Sequence, residues 1–178
     1  MAGTVREGPS MNELSSSIQH PSVLPMTQSF GHRLRQVNRL IQRNLGNRIA
    51  PLGLSLGQWY VLRTLWNQDG LTQTELAQQS GIAGPAMVLA VRSLLATGLV
   101  TRRRPAHDKR KYLITLTERG RDLEEAALRA AMDANSQALA GASPEALRAC
   151  MLVLETAFNN LQESGTGPEP ELDAMIEQ

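Results

Sequence analysis

With 178 residues, 42% of them hydrophobic and 20% charged, the chain has the length and composition of one ordinary globular domain, which excludes collagen-like, low-complexity and disulfide-scaffold classes. Aromatic residues at 3% leave the core to Leu, Ala, Val, Ile and Met, a composition that favours helices. The net charge of +1 conceals a segregation: residues 30–65 carry six Arg and no acid, residues 92–121 nine bases against Asp108 and Glu118, and residues 122–178 two bases against eleven acids.

No run of about eighteen apolar residues exists, and the opening MAGTVREGPSMNELSSSIQHPS lacks the basic and apolar sections of a secretory signal. A cytoplasmic protein with no membrane partner is expected. The single Cys150 can form no internal disulfide and has no companions for a zinc site, in keeping with a reducing compartment.

Residues 1–25 mix Ser, Pro, Gly and Asn without periodicity and predict a flexible tail; the acidic residues 164–178 predict another. Over residues 26–49 the series Leu34, Val37, Leu40, Ile41, Leu45 and Ile49 has helical spacing, closed by Pro51 and Gly53. Ser55 followed three residues later by Gln58 is a capping-box signature, and predicts a second helix over 56–67, ended by the turn at residues 67–70.

In LTQTELAQQSGI, Thr72 and Glu75 form a second capping box flanked by Leu71 and Leu76 at the staple positions. That short helix stops near Ser80 and Gly81. Gly84 as N-cap and Pro85 as first helical residue predict another helix to about Thr97, with Met87, Val91, Leu94 and Leu95 as its apolar stripe and Gly98 as its left-handed terminator. Two short helices joined by a glycine turn have helix-turn-helix spacing, which also occurs in helical hairpins that bind nothing.

The segments LVTRRR and KYLITLT, joined by PAHDKR, predict a two-stranded hairpin with Tyr112, Ile114 and Leu116 on one face. Its outer part carries Arg102, Arg103, Arg104, Lys109, Arg110 and Lys111. That density of like charge calls for an anionic partner, a solvated turn being the alternative. A long helix is expected from Glu118 to about Gly141. A last helix opens at Ser143 and Pro144, with Leu147, Met151, Leu154, Phe158 and Leu161 recurring at intervals of three or four. The first helix and the last two are expected to pack on one another and on a second copy, an intrachain bundle being the alternative.

This order of elements resembles the MarR family of multiple antibiotic resistance regulators, over about residues 30–163. The resemblance is carried by PLGLSLGQWYVLRTL, LTQTELAQQSGI and LLATGLVTRRRPAHDKRKYLITLTERG, with the Asp-x-Arg pair Asp108 and Arg110 and the closing Leu116 and Thr117. It implies a fold that is mainly α with a small β-hairpin: a winged helix-turn-helix over 54–120 inside a domain of residues 26–163, with N- and C-terminal dimerisation helices over 26–53 and 121–163. It also implies a homodimeric repressor of a double-stranded DNA operator, released by a small aromatic acid, phenol or aromatic acyl-CoA ligand.

In a wing, Asp108 would accept hydrogen bonds from Arg110 and orient it for a narrow minor groove, while Lys109, Lys111, Arg103 and Arg104 meet phosphates. Gln73 and Thr74 would also bind phosphate. The helix of residues 85–97 would enter the major groove. At positions where relatives carry polar or basic side chains it has Ala86, Val88 and Leu89, leaving Arg92 and Ser93 as polar readers, with apolar contact to thymine methyls and DNA shape supplying the rest.

The resemblance places the effector in a crevice between the dimer helices and the DNA-binding lobe, with His32, Arg33, Trp59, Arg63 and Trp66 as candidate contacts. Each Trp has a core role as its alternative, and His32 a helix-surface one. His20, His32, His107 and Cys150 form no recognisable catalytic or metal set, so no enzyme, metal or cofactor is expected. Two other readings stay open: a winged-helix protein-interaction module, and redox sensing through Cys150. Peroxide-sensing relatives carry their cysteine near the N-terminal helix instead.

Overall fold

The computed structural model describes residues 29–105 and 110–163; both expected tails and the hairpin tip with Asp108 and Lys109 lie outside the described residues. Helix α1 is Phe30–Ile49, followed by a 3-10 turn at Ala50–Leu52, then α2 Leu56–Asn67, α3 Gln73–Ser80 and α4 Gly84–Ala96. Strands β1 Val100–Arg103 and β2 Leu113–Leu116 form an antiparallel hairpin, and α5 Glu118–Asp122, α6 Glu124–Ala138 and α7 Pro144–Glu163 complete the order. This is the mainly helical fold with one small hairpin that the sequence predicts. By its contacts the chain divides into two units, residues 1–43 and residues 44–178.

Local chemistry places the helices of the second unit. Both capping boxes form: Ser55 with Gln58 at the start of α2, and Thr72 with Glu75 at the start of α3. Each satisfies backbone donors that a helix start leaves open, and so contributes about 1 kcal/mol. The staple partners Leu71 and Leu76 are both buried. Gly81 ends α3 in the left-handed region that a side chain resists, as Gly98 does after α4.

Behind these elements lies one apolar core. Ile49 of α1 meets Val61, Leu62 and Leu65 of α2, Leu76 of α3, and Met87, Val91 and Leu94 of α4, all close to fully buried. The hairpin joins it through Val100, Ile114 and Leu116, with the register pairing Val100 to Leu116 and Arg102 to Ile114. On the other edge of β2, the Ile114 N–H donates to the Leu71 carbonyl at 2.7 Å, a bridge that gives the wing a third, one-residue strand.

Four details add to the expectation or differ from it. Helix α1 begins at Phe30 among the described residues, and residues 26–28 lie outside them. Helix α4 is capped by Ala83 rather than Gly84: the Met87 N–H donates to the Ala83 carbonyl at 2.9 Å, and Pro85, lacking an N–H, sits in the first turn where none is needed. Tyr112 shares the parity of Ile114 and Leu116 but is 44% exposed, because it stands outboard of β2 where the core has ended.

The fourth detail is that the long helix expected over residues 118–141 is two helices, α5 and α6, interrupted at Leu123, and α6 stops at Ala138. Side chains and backbone of α5 are tied to the hairpin base. Thr117 donates through its hydroxyl to the Gly98 and Leu99 carbonyls and caps Gly120, while Arg121 bonds Asp69 and the Leu116 carbonyl. These ties orient the first turns to the wing, and α6 starts afresh from Leu123.

Candidate nucleic-acid interface

Helix α3 presents its N-terminus to one side of the hairpin. The Thr72 N–H and hydroxyl both donate to Glu75 Oε2 at 2.7 Å, and the Glu75 N–H donates back to the Thr72 hydroxyl at 3.3 Å. The Thr72 backbone N–H first, and its hydroxyl second, hold the Glu75 carboxyl below the ordinary glutamate range. The carboxylate therefore stays ionised and occupied with its own helix. Thr74 beside it is exposed and Gln73 half-buried.

Helix α4 is two-faced. Met87, Ala90, Val91 and Leu94 are buried, which turns Val88, Leu89, Arg92 and Ser93 outward; Val88 is 54% and Leu89 66% exposed. Two large aliphatic side chains left in water on the one helix of the helix-turn-helix that carries an exposed arginine form a surface suited to apolar base edges. The Ser93 hydroxyl is partly committed, accepting from Gln58 Nε2 at 2.9 Å, while Gln58 Oε1 accepts from the Ser55 N–H at 2.8 Å. Buried Gln58 thus closes the α2 cap and links α2 to α4, a role its capping signature only half discloses.

The described part of the hairpin carries five cations. Arg102, Arg103, Arg104, Arg110 and Lys111 are all exposed. The ring of Tyr112 lies under two of them, with the Arg104 guanidinium carbon 4.6 Å and the Arg102 one 6.0 Å from its centroid. Arg104 also donates to the Tyr112 hydroxyl. At the base, Asp69 accepts from the Leu116 N–H at 2.9 Å and from the Arg121 guanidinium at 2.9 Å, fixing the hairpin to the turn before α3.

Between wing and helix runs an open groove of about 540 Å³, lined by Gln73 and Thr74 of α3, Thr72, Glu75, Arg102, Lys111, Tyr112 and Ile114. The groove brings together three of the residues singled out in the sequence, Gln73, Thr74 and Lys111. It also takes in Arg102, one of the basic cluster that the sequence places on the hairpin, and Tyr112, to which the sequence gives a face but no role in the site. Asp108 and Lys109 lie outside the described residues, so the wing's acid–base pair is represented by Arg110 alone.

The effector candidates fall in different settings. His32 is half-buried and Arg33 exposed, both on the part of α1 in the first unit. In the second unit Trp59 is a core residue, 4% exposed, with Trp66 set edge-on at 5.7 Å; the Trp66 indole N–H donates to the Gly120 carbonyl at 2.9 Å. The core role weighed for the tryptophans is thus where the structure puts Trp59. Arg63 is exposed on α2. Cys150 is exposed on α7, and among the described residues no three His, Cys, Asp or Glu gather to hold a metal ion. No helix of the described residues is long and apolar enough to cross a membrane.

A sequence model of the MarR family matches residues 54–112, from the residue before the α2 cap to Tyr112 on the wing. The HTH-type transcriptional repressor Rv2887 of Mycobacterium tuberculosis is 34% identical over 105 residues, 57% of this chain and 76% of that protein. The chain belongs to the MarR family. A MarR regulator from Methanosarcina mazei matches its structure with a TM-score of 0.69 at 27% identity, over 76% of this chain and 97% of the other. The M. tuberculosis MarR family protein Rv2887, solved in complex with salicylic acid, matches with a TM-score of 0.61 at 29% identity, over 76% and 98%. As a member of the MarR family, the chain is a DNA-binding transcription regulator with a winged helix-turn-helix.

Proposed function

We propose that this MarR regulator acts as a homodimeric repressor that binds a pseudo-palindromic operator and leaves it when a small aromatic acid binds. The observation that carries the reading is the wing: five described cations, all exposed, with Arg102 and Lys111 sharing one groove with Gln73 and Thr74. Arg103, Arg104, Lys109, Lys111, Gln73 and Thr74 contact phosphates; Asp108 orients Arg110 for the minor groove; Arg92, Ser93, Val88 and Leu89 face base edges in the major groove.

Dimerisation is supported by α7, where no residue of described burial is buried and Met151, Phe158 and Leu161 on its apolar stripe are all more than half exposed. The aromatic-acid effector is supported by the salicylic acid complex of the related Rv2887. On this chain Arg63 of the second unit is the candidate carboxylate partner, with half-buried Trp66 on the same helix as a further contact; His32 and Arg33 of the first unit are candidates taken separately. A ligand that fits only the non-binding separation of the two lobes lowers operator affinity by its preference between states, without chemistry on the ligand.

The test is a fluorescence titration against the duplex upstream of the protein's own gene, over a salt series, with and without aromatic acids and their CoA thioesters. Steep salt dependence, sequence discrimination and release by one compound are expected. Tight binding untouched by every compound would remove the effector from the reading, and affinity equal to that for random duplex would remove the operator.

A further inference from the structure

Tyr112 is an aromatic residue with no core to fill. Strand alternation sets it on the face of Ile114 and Leu116, which are buried, yet it is 44% exposed. Hydrophobic burial does not account for a large ring at the mouth of the hairpin. What the ring holds is charge: Arg104 at 4.6 Å and Arg102 at 6.0 Å from its centroid, with a hydrogen bond from Arg104 to the hydroxyl.

Two guanidinium groups repel each other, so gathering them about one ring requires a compensating attraction, which the electron-rich face supplies. The kind of partner matters. A carboxylate would cancel the positive charge that a phosphate needs, whereas a π face orients the guanidinium and leaves its full charge on offer. The hydroxyl occupies one of the five N–H donors of Arg104. An arginine on an open strand otherwise loses much rotamer freedom when it meets DNA, and a side chain already held on a ring has less to lose. The same ring walls the groove that Gln73, Thr74 and Lys111 line.

We propose that Tyr112 is a positioning residue for DNA binding, holding Arg104 by ring and hydroxyl and Arg102 by ring in the orientations in which both meet backbone phosphates. This rests on the reading of the hairpin as the DNA-contacting wing. Phosphate contacts are blind to sequence, so the effect extends to any duplex.

The experiment measures binding of the full-length protein to a duplex of mixed sequence across a salt series, for wild type, Tyr112→Leu, Tyr112→Phe, Arg104→Ala and Tyr112→Leu/Arg104→Ala. Tyr112→Leu is expected to weaken binding by roughly fivefold, the loss set by two exposed cation–π contacts, with an unchanged thermal midpoint. Tyr112→Phe, which keeps the ring, should retain the larger part of the affinity. Adding Tyr112→Leu to Arg104→Ala should weaken binding by less than it does in the wild type, because the tyrosine then has only Arg102 to position. Equal losses in both backgrounds, or a Tyr112→Leu protein that binds as the wild type does, would overturn the proposal while leaving the wing intact. A wild-type protein that shows no salt-steep binding would overturn the wing reading and this proposal together.

Discussion

At Gly120 of α5 a Cβ would stand 2.1 Å from the Leu99 carbonyl oxygen, closer than atoms approach. The same oxygen accepts from the Thr117 N–H at 3.1 Å and from its hydroxyl at 3.0 Å, so it is pinned and cannot step aside. Gly120→Ala is therefore expected to destabilise the protein by about 3 kcal/mol, the upper end for overpacking, as a lower urea midpoint at unchanged slope. A midpoint equal to the wild type would mean that the close approach of α5 to the hairpin is not as described. Glu75 offers a milder test. Thr72 holds its carboxyl below the ordinary 4.5, so the stabilisation exists above that value and is lost as the pH falls through the lowered pKa of the folded state. Melts of Glu75→Gln should show a smaller loss of stability on acidification than wild type; parallel losses would mean that Thr72 does not hold the carboxylate.

Elements were legible in the sequence where their determinants are close along the chain, and obscure where they are distant. The two capping boxes join residues three apart, and both helix starts fell where Ser55, Gln58, Thr72 and Glu75 put them. The break at Leu123 belongs to the other kind. Ala-rich propensity runs through it without a signal, because Arg121 meets Asp69 at a separation of 52 residues and Gly120 meets Leu99 through space. The Leu71 bridge to Ile114 was invisible for the same reason. In the site, charge marked Arg102, Arg103, Arg104 and Lys111, whereas alternation gave Tyr112 a face and nothing more, because it says which side a side chain takes and not where the core stops. The wing as an element has its own test. Arg110→Ala should weaken operator binding at least fivefold, the loss of one good DNA contact, with helical content and oligomeric state unchanged; undiminished affinity would take Arg110 out of the interface.

On the whole molecule, the apolar stripe of α7 sets a different kind of constraint. Leu147, Met151, Leu154, Phe158 and Leu161 repeat at alternating intervals of four and three, the spacing of a helix seam that expects a partner helix. In the single chain Met151 is 57%, Phe158 61% and Leu161 73% exposed, and none of these stripe residues is buried. Covering such side chains is worth about 1.5–3 kcal/mol each, which a second copy of the chain supplies symmetrically. Because the single chain does not bury them, Met151→Glu/Phe158→Glu leaves the core of the winged helix untouched and sets charge directly into the proposed seam. Sedimentation is expected to show a dimer for wild type and a monomer for the double variant, with the same thermal transition in the DNA-binding lobe. Operator affinity should fall in step, since half-sites roughly 34–36 Å apart are read together only by two joined lobes. A double variant that sediments as the wild type does would move the interface away from α7, and with it the proposed route from effector to DNA.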